Sequence, residues 1–367
     1  MTGNSIGKLF GLTCFGESHG KCVGAVIEGC PAGLPLSESD VQIELNKRKP
    51  GGSRVGTSRI EKDRVEILSG VFDGFTTGAS ICLVVWNKNT NSEPYERTKS
   101  TPRPGHADYP AHLRYGGFND YRGGGRFSGR ITIAFVMAGS IAKKLLRFID
   151  VEVLAHAVQI GSVKLSKEVS YEQIRKNVYR NAVRCADQQT AKAMEKEILR
   201  EKKEGDSVGG IVEAIALNYP AGLGDPIFDS LDADLAKMMF DIPGVKGVEF
   251  GAGFKAASLK GSENNDQFSV KNGVITTKTN NSGGILGGLS AGMPITLRVA
   301  FKPTSSIYKK QTTVDLQEMR EVEMQLSGKY DPCIVPRAVS VVESCVAVVI
   351  VDHAIRNGKV GHVLQRD

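Results

Sequence analysis

The chain has 367 residues, is 41% hydrophobic and 24% charged, and carries a formal net charge of +7. That length and apolar content can build a large core unaided, and the mild charge suits an acidic ligand while falling short of the basic extreme of dedicated nucleic-acid proteins. Seven cysteines without a C-x-x-C pair, no signal-peptide pattern at the N-terminus and no uninterrupted apolar run of membrane length exclude a disulfide frame, a zinc site and a membrane span, and make a soluble, cytoplasmic protein the expectation.

In chain order, 23–28 reads as an apolar strand that enters a Pro31-Ala32-Gly33-Leu34 turn. Ser37 then offers an N-cap, with Asp40 three residues on, for an amphipathic helix over 37–48. Strands are predicted at about 64–70 and 80–87, where apolar and β-branched residues dominate. A buried helix covers 132–148, small and apolar almost throughout. Residues 171–205 read as one or two exposed, charge-laced helices ending at Gly205. Strand signals return at 208–217, 245–250 and 294–301, a helical pattern spans 229–239, and a mostly buried helix over 343–358 closes the chain at Gly358.

The chain partly repeats itself. "VGAVIE" (23–28) followed by "PAGL" (31–34) recurs as "VGGIVE" (208–213) followed by "PAGL" (220–223), and each copy runs on into an amphipathic helix. "TTGASICLVV" (76–85) likewise echoes "SAGMPITLRV" (290–299). The fold expected is therefore one α/β (α+β) body over 1–367, built from two related halves of about 1–150 and 200–367.

Several common sites are absent: no G-x-x-x-x-G-K-[ST] loop, no H-E-x-x-H and no G-x-S-x-G occurs. "GAGFKA" (251–256) matches the dinucleotide pattern superficially, but turn-forming residues follow it where a helix must start. What does stand out is arginine set in glycine. "DYRGGGRFSGR" (120–130) contains Arg122, Arg126 and Arg130; Arg48 and Arg54 bracket "KPGGS"; Arg59, Arg103 and Arg114 lie in similar loops; and "KYDPCIVPRA" (329–338) adds Lys329, Asp331 and Arg337. Guanidinium forks match carboxylate and phosphate oxygens, and glycine lets backbone N–H groups approach an anion closely. "KPTSS" (302–306) adds a lysine and three hydroxyls in a phosphate-friendly turn. Two histidines share this setting: His19 in "FGESHG" and His106 in "RPGHADY", each on a tight loop that can tune an imidazole. Nucleic acid is the competing destination for such charge. It calls for basic residues interleaved with stacking aromatics on one element, whereas here they are scattered over loops, so a pocket for one small polyanion is favoured.

These loops resemble the chorismate synthase family over essentially the whole chain. "GESHGKCVGAVIEGCP", "GGGRFSGRITIAFVMAGSI" and "YDPCIVPRAVSVVES" are similar to its three signatures, with "RPGHADY", "GGILGG" (283–288) and "KPTSS" in family order. The resemblance implies a β-α-β sandwich of two antiparallel sheets around a helical layer, assembled as a homotetramer. It implies a lyase that converts 5-enolpyruvylshikimate 3-phosphate to chorismate by 1,4-anti elimination of phosphate, the last common step towards the aromatic amino acids, with reduced FMN and no net redox change. By the same resemblance Arg48, Arg54, Arg130 and Lys329 hold substrate, Arg48 and Arg54 coinciding with positions assigned to NADPH in bifunctional relatives. His19 protonates the departing phosphate, His106 faces the reduced flavin, Ser18 and Ser128 support a proton relay, and Asp331 assists proton acceptance at the flavin. Flavin contacts fall to Arg126, Phe127, Ser128, Pro243, Gly244, Gly287, Lys302, Pro303, Thr304, Ser305, Ser306 and Lys329.

The chain departs from the family's commoner residues at Phe127 and Gly129 in "GRFSGR" (against "GRSSAR"), at Lys329 and Tyr330 in "GKYDPC" (against "GRHDPC"), and at Pro243 (against Asn). Lysine at 329 keeps the charge and loses the fork. The family includes members that reduce their flavin with NADPH and members served by a separate flavin reductase, and no segment announces a nicotinamide site. A flavin-dependent oxidoreductase and a nucleic-acid-binding protein stand as alternatives, the first marked by NADPH oxidation without substrate, the second by salt-dependent RNA binding. No metal is implied.

Overall fold

The computed structural model describes residues 3–49, 54–56, 63–88 and 92–364; Arg59 lies outside them. Apolar residues that alternate along the strands decide the architecture. In the first half, β1 (Ser5–Ile6), β2 (Gly11–Gly16), β3 (Cys22–Glu28), β4 (Val65–Ile67) and β5 (Ile81–Trp86) form an antiparallel sheet in the order β1-β2-β3-β5-β4. In the second, β6 (Glu152–Ile160), β7 (Val163–Lys164), β8 (Gly210–Leu217), β9 (Val245–Phe250) and β10 (Ile295–Phe301) form another in the order β9-β10-β8-β6-β7. The register places Val23 opposite Val85, Ala25 opposite Leu83 and Ile27 opposite Ile81 in the first sheet. Val212 faces Val299 and Ala214 faces Leu297 in the second. All ten side chains are buried, so each sheet turns one continuous apolar face inward.

Between the sheets lie helices, which makes a β-α-β sandwich of mixed helix and antiparallel sheet. Of seven helices that matter here, α1 (Glu38–Arg48), α2 (Asp108–Arg114) and α3 (Thr132–Arg147) come from the first half. The others are α4 (Tyr171–Asn177), α5 (Gln188–Lys203), α6 (Leu231–Phe240) and α7 (Val335–Arg356). α3 packs on β2 and β3, α7 packs on β6 and β8, and the two pack on each other with α1 and α6 alongside. Their crossing is close because Gly139 of α3 has no side chain: a Cβ there would stand 2.2 Å from the Cβ of Ser344 on α7. The same layer buries an ionic group, Lys143 Nζ, which bonds Glu44 Oε2 at 2.7 Å and also Glu343, whose other oxygen accepts from Tyr179 Oη at 2.9 Å.

The order β2-β3-β5-β4 in one sheet matches β6-β8-β10-β9 in the other, and each set leads in sequence into a central helix. Ser37 stands at the N-cap of α1, with its N–H donating to Asp40 Oδ2 at 2.9 Å. The charged stretch 171–205 divides into α4 and α5. α7 begins at Val335, eight residues earlier than the 343–358 pattern suggested, because Pro336 sits in the first turn, where a missing N–H costs nothing. β6 escaped the sequence reading: its run Leu154–Ala157 is buried without alternation, as a strand covered on both faces is. Past β9, Gly253–Ser258 is a 3₁₀ segment followed by four residues of helix, too short for a dinucleotide site. Among the described residues only α7 is long and apolar enough to cross a membrane, and it is buried inside the core.

Candidate active site

A cavity of about 670 Å³ opens where the N-termini of α3 and α7 converge, with Thr132 and Phe135 from one helix and Arg337 and Ala338 from the other in its wall. Neither helix carries an acidic residue in its first turn. Two helix N-termini without their own carboxylates place partial positive charge and unsatisfied N–H groups at one spot, which favours a bound anion.

The glycine run ahead of α3 explains its composition here. Gly123, Gly124 and Gly125 all have positive φ (61°, 82° and 52°), a backbone that side chains resist. They also roof two imidazoles. A Cβ on Gly123 would lie 2.5 Å from His19 Nε2 and 2.9 Å from Ser18 Oγ, and one on Gly124 would lie 3.1 Å from His106 Nε2. Ser18, His106 and Gly123 line the cavity, whereas His19 is buried one layer behind, with Nδ1 2.9 Å from Ser92 Oγ and its ring edge-on to Tyr95. The missing side chain at 123 is what brings the His19 ring to the cavity's edge.

His106 is held by an ion-paired partner. Its Nδ1 lies 2.6 Å from Asp108 Oδ1, and Arg103 grips the same carboxylate with Nε at 2.7 Å and Nη2 at 2.8 Å. Burial lowers the pKa of His106, with Arg103 adding to the effect, and the bond to Asp108 opposes it only in part. Burial also works to raise Asp108, yet Arg103 and His106 keep its carboxyl well below the usual range. The pair therefore favours a neutral imidazole on the cavity wall, its Nδ1 against Asp108 and its Nε2 3.3 Å from Arg103 Nη2.

Arg48 and Arg130 are locked by a carboxylate that the sequence reading did not single out. Asp63 accepts from Arg130 Nη2 at 3.1 Å and lies 3.7 Å from Arg48 Nη1. Arg48 Nε also donates to Thr132 Oγ1 at 2.9 Å and its Nη2 to Gly129 O at 2.9 Å, and Arg130 Nε donates to Asn87 Oδ1 at 2.6 Å. Both guanidiniums line the cavity in fixed orientation. On the α7 side, Asp331 accepts from Arg337 Nη1 at 2.8 Å, and exposed Lys329 stands at the cavity wall with Tyr330.

The 302–306 turn forms a second cradle. Lys302 N–H donates to Gly244 O at 2.9 Å, Ser305 Oγ donates to Gly105 O at 2.7 Å, and Lys302 Nζ reaches the same Gly105 carbonyl. Arg126, Phe127, Ser128, Pro243, Gly244 and all five residues of the turn line the cavity. Ser128 caps the short turn before α3, its Oγ accepting from Arg130 N–H. Within the wall, Thr304 Oγ1 is buried without a hydrogen-bond partner, a polar atom awaiting a ligand.

Two expected residues fall elsewhere. Arg54 is exposed outside this cavity, its carbonyl accepting from Lys202 Nζ at 2.9 Å. Gly287 is exposed in the turn between Ile285–Leu286 and Leu289–Ser290, with φ 59°, and is not part of this wall. The sequence reading also passed over Tyr95 and Asp241, which do line it. Burial raises the pKa of Asp241 against the pull of Lys237. No local pattern marks Asp63 or Asp241, since each reaches the site only through the tertiary fold.

The family model described as chorismate synthase matches residues 10–355. A chorismate synthase of Dehalococcoides mccartyi is 53% identical over 99% of this chain and 100% of its own length. One from Korarchaeum cryptofilum is 54% identical over 97% of this chain and 99% of its own. A crystal structure of a chorismate synthase superposes with a TM-score of 0.76 at 29% identity, covering 96% of this chain and 93% of that one.

Proposed function

This chain belongs to the chorismate synthase family and is a lyase of that type, and on that premise we propose that its cavity eliminates phosphate from 5-enolpyruvylshikimate 3-phosphate over reduced FMN in the cytoplasm. The observation that carries the reading is the meeting of two helix N-termini, a locked arginine pair and the His106 imidazole in one cavity of about 670 Å³, with His19 one layer behind at Gly123. That volume lies in the range of cofactor and small-ligand sites.

The residues present fit a phosphorylated flavin. The unpartnered Thr304 hydroxyl, Lys302, Ser305 and Arg126 suit its phosphate and hydroxyls, while Leu12, Phe135, Phe301 and Ile334 offer apolar wall to its rings. Reduced FMN supplies transient electron density to the reaction and regains it. The chain's own residues do the rest. Arg48 and Arg130, held rigid by Asp63, Thr132 and Asn87, bind the substrate's anionic groups with little entropy left to lose, and Lys329 adds charge at the rim. His19 delivers a proton towards the leaving phosphate across the gap at Gly123, with Ser18 as the hydroxyl between. Neutral His106, held by Asp108 and Arg103, would stand on the wall that takes the flavin. Asp331, oriented by Arg337, would assist the flavin in accepting the proton lost from the substrate. Ser128 fixes the turn that aims Arg130.

The matching strand orders and the repeated "PAGL" turns support a single domain of duplicated halves. Gly287 lies outside this cavity, and a flavin contact there would have to come from another copy of the chain, as in the homotetramer that the resemblance implies. The first test is anaerobic: substrate with chemically reduced FMN, following phosphate and chorismate together, then oxidised FMN with NADPH. Stoichiometric release in the first mixture bears the reading out, and none overturns it. Turnover in the second separates self-reduction from reliance on a flavin reductase.

A further inference from the structure

Behind the Asp331–Arg337 pair lies a second, smaller cavity of about 260 Å³. Its wall brings together Lys49, Arg180, Arg184 and Arg337 with the ring of Tyr179, and one carboxylate, Asp331. Among the described residues four cations therefore face one anion in a space that holds a small oxyanion and a few waters, since a water takes up about 30 Å³ of liquid volume.

Among the described residues Arg337 alone of these four makes an ion pair, with Asp63 acting on Lys49 at longer range. Arg184 donates only to carbonyls, Tyr179 O at 3.2 Å, Asn181 O at 3.5 Å and Lys47 O at 3.4 Å, while its guanidinium lies 5.0 Å from the centre of the Tyr179 ring. Among the described residues no carboxylate pairs with it, and burial lowers its pKa. It is held in a left-handed backbone, φ 62°, that arginine adopts only under constraint. Arg337 spends Nη1 on Asp331, and its Nε is buried without a partner. Lys49 Nζ bonds Asn46 Oδ1 at 2.8 Å. Arg180, exposed at the outer edge, makes no ion pair among the described residues.

We propose that this cavity is a second anion site that takes inorganic phosphate, and that it receives the phosphate eliminated in the main cavity. Arg337 and Asp331 line both spaces, so a phosphate leaving the arginine pair meets cations on its way out. The proposal rests on the elimination reading given above, and its test separates the two.

The main cavity is first filled with substrate and oxidised FMN, which does not turn over, and inorganic phosphate is then titrated calorimetrically. One phosphate is expected to bind, about tenfold more weakly in Arg184→Met and in Arg180→Ala, as loss of a charge-assisted bond requires. KM for the substrate and Kd for FMN stay unchanged in both. Arg180 is exposed, so its variant folds even if Arg184→Met does not. No binding to the filled complex, or binding indifferent to both variants, overturns the site while normal turnover leaves the lyase reading standing; absence of turnover removes both. In single-turnover runs, bulk phosphate should lag chorismate in the wild type and lose that lag in Arg180→Ala. Simultaneous release in both would sink the exit role.

Discussion

The loops that open α3 and α7 occupy equivalent places in two sheets of the same strand order, yet they are built differently. Ahead of α3 stand three consecutive glycines with positive φ, and the chain bends tightly over His19 and His106. Ahead of α7 stand Asp331 and Cys333, a short stretch tied to the helix by the Asp331–Arg337 ion pair, and Pro336 follows in the first helical turn. Both loops deliver a helix N-terminus to the cavity. On the function proposed above, the glycine-rich loop would carry the proton chemistry and the 302–306 turn of the second half would take the cofactor's phosphate. Two sheets of the same strand order thus bring two helix N-termini to one cavity, with different loops ahead of them.

That division can be broken most directly at His19. His19→Ala is expected to lower turnover by about 10²–10⁴-fold, the usual contribution of a positioned acid, with FMN affinity unchanged by fluorescence titration. Lost flavin binding would instead give His19 a structural place and erase the contrast. Next comes Gly123→Ala, which puts a methyl 2.3 Å from His19 Cδ2 on backbone with φ 61°. It should cost about 2–4 kcal/mol from overpacking and left-handed strain, visible as a lower Tm and a collapse of kcat. In the second half the expectation reverses. Lys302→Met should weaken FMN binding about tenfold by removing a charged donor, with the rate at saturating FMN close to wild type. A large fall in saturated rate would show that the cradle also takes part in proton chemistry.

The pH dependence near neutrality is smallest for the helical layer shared by both halves. Burial tends to raise the Glu44 carboxyl, but Lys143 and Lys47 together bring it down to about 2. A depressed carboxyl contributes stability that is complete above the unfolded value and is lost as pH falls through the folded one. Thermal denaturation should therefore show this contribution intact above pH 4.5 and fading towards pH 2. Lys143→Met should shrink that acid-side slope, leaving Glu343 without its buried cation and Glu44 with Lys47 alone, at a cost of about 3–5 kcal/mol. A Tm–pH profile identical to wild type would mean the buried group is relaxed by water.

Much of this was legible along the chain. Arg130, Lys329, His106 and the 302–306 turn stand in glycine- or proline-rich loops whose composition has no use on a solvated face, Arg48 stands at the end of α1 before another, and the apolar runs at 23–28 and 295–301 announce strands. β6 was not legible, because burial on both faces removes the alternation that marks a strand. Nor was the true start of α7, hidden behind a proline that helices accept in their first turn.

By itself the sequence determined the family, the kind of ligand and most of the loops that meet it, since residue type and local spacing carry those. The tertiary structure alone decided that Asp63 orients two arginines, that His19 stands one layer behind the wall, that Asp241 joins the site and that Arg54 and Gly287 lie outside this chain's cavity. Those facts depend on where distant segments meet. That meeting is set by the packing of α3 against α7 between two sheets, which no local pattern encodes.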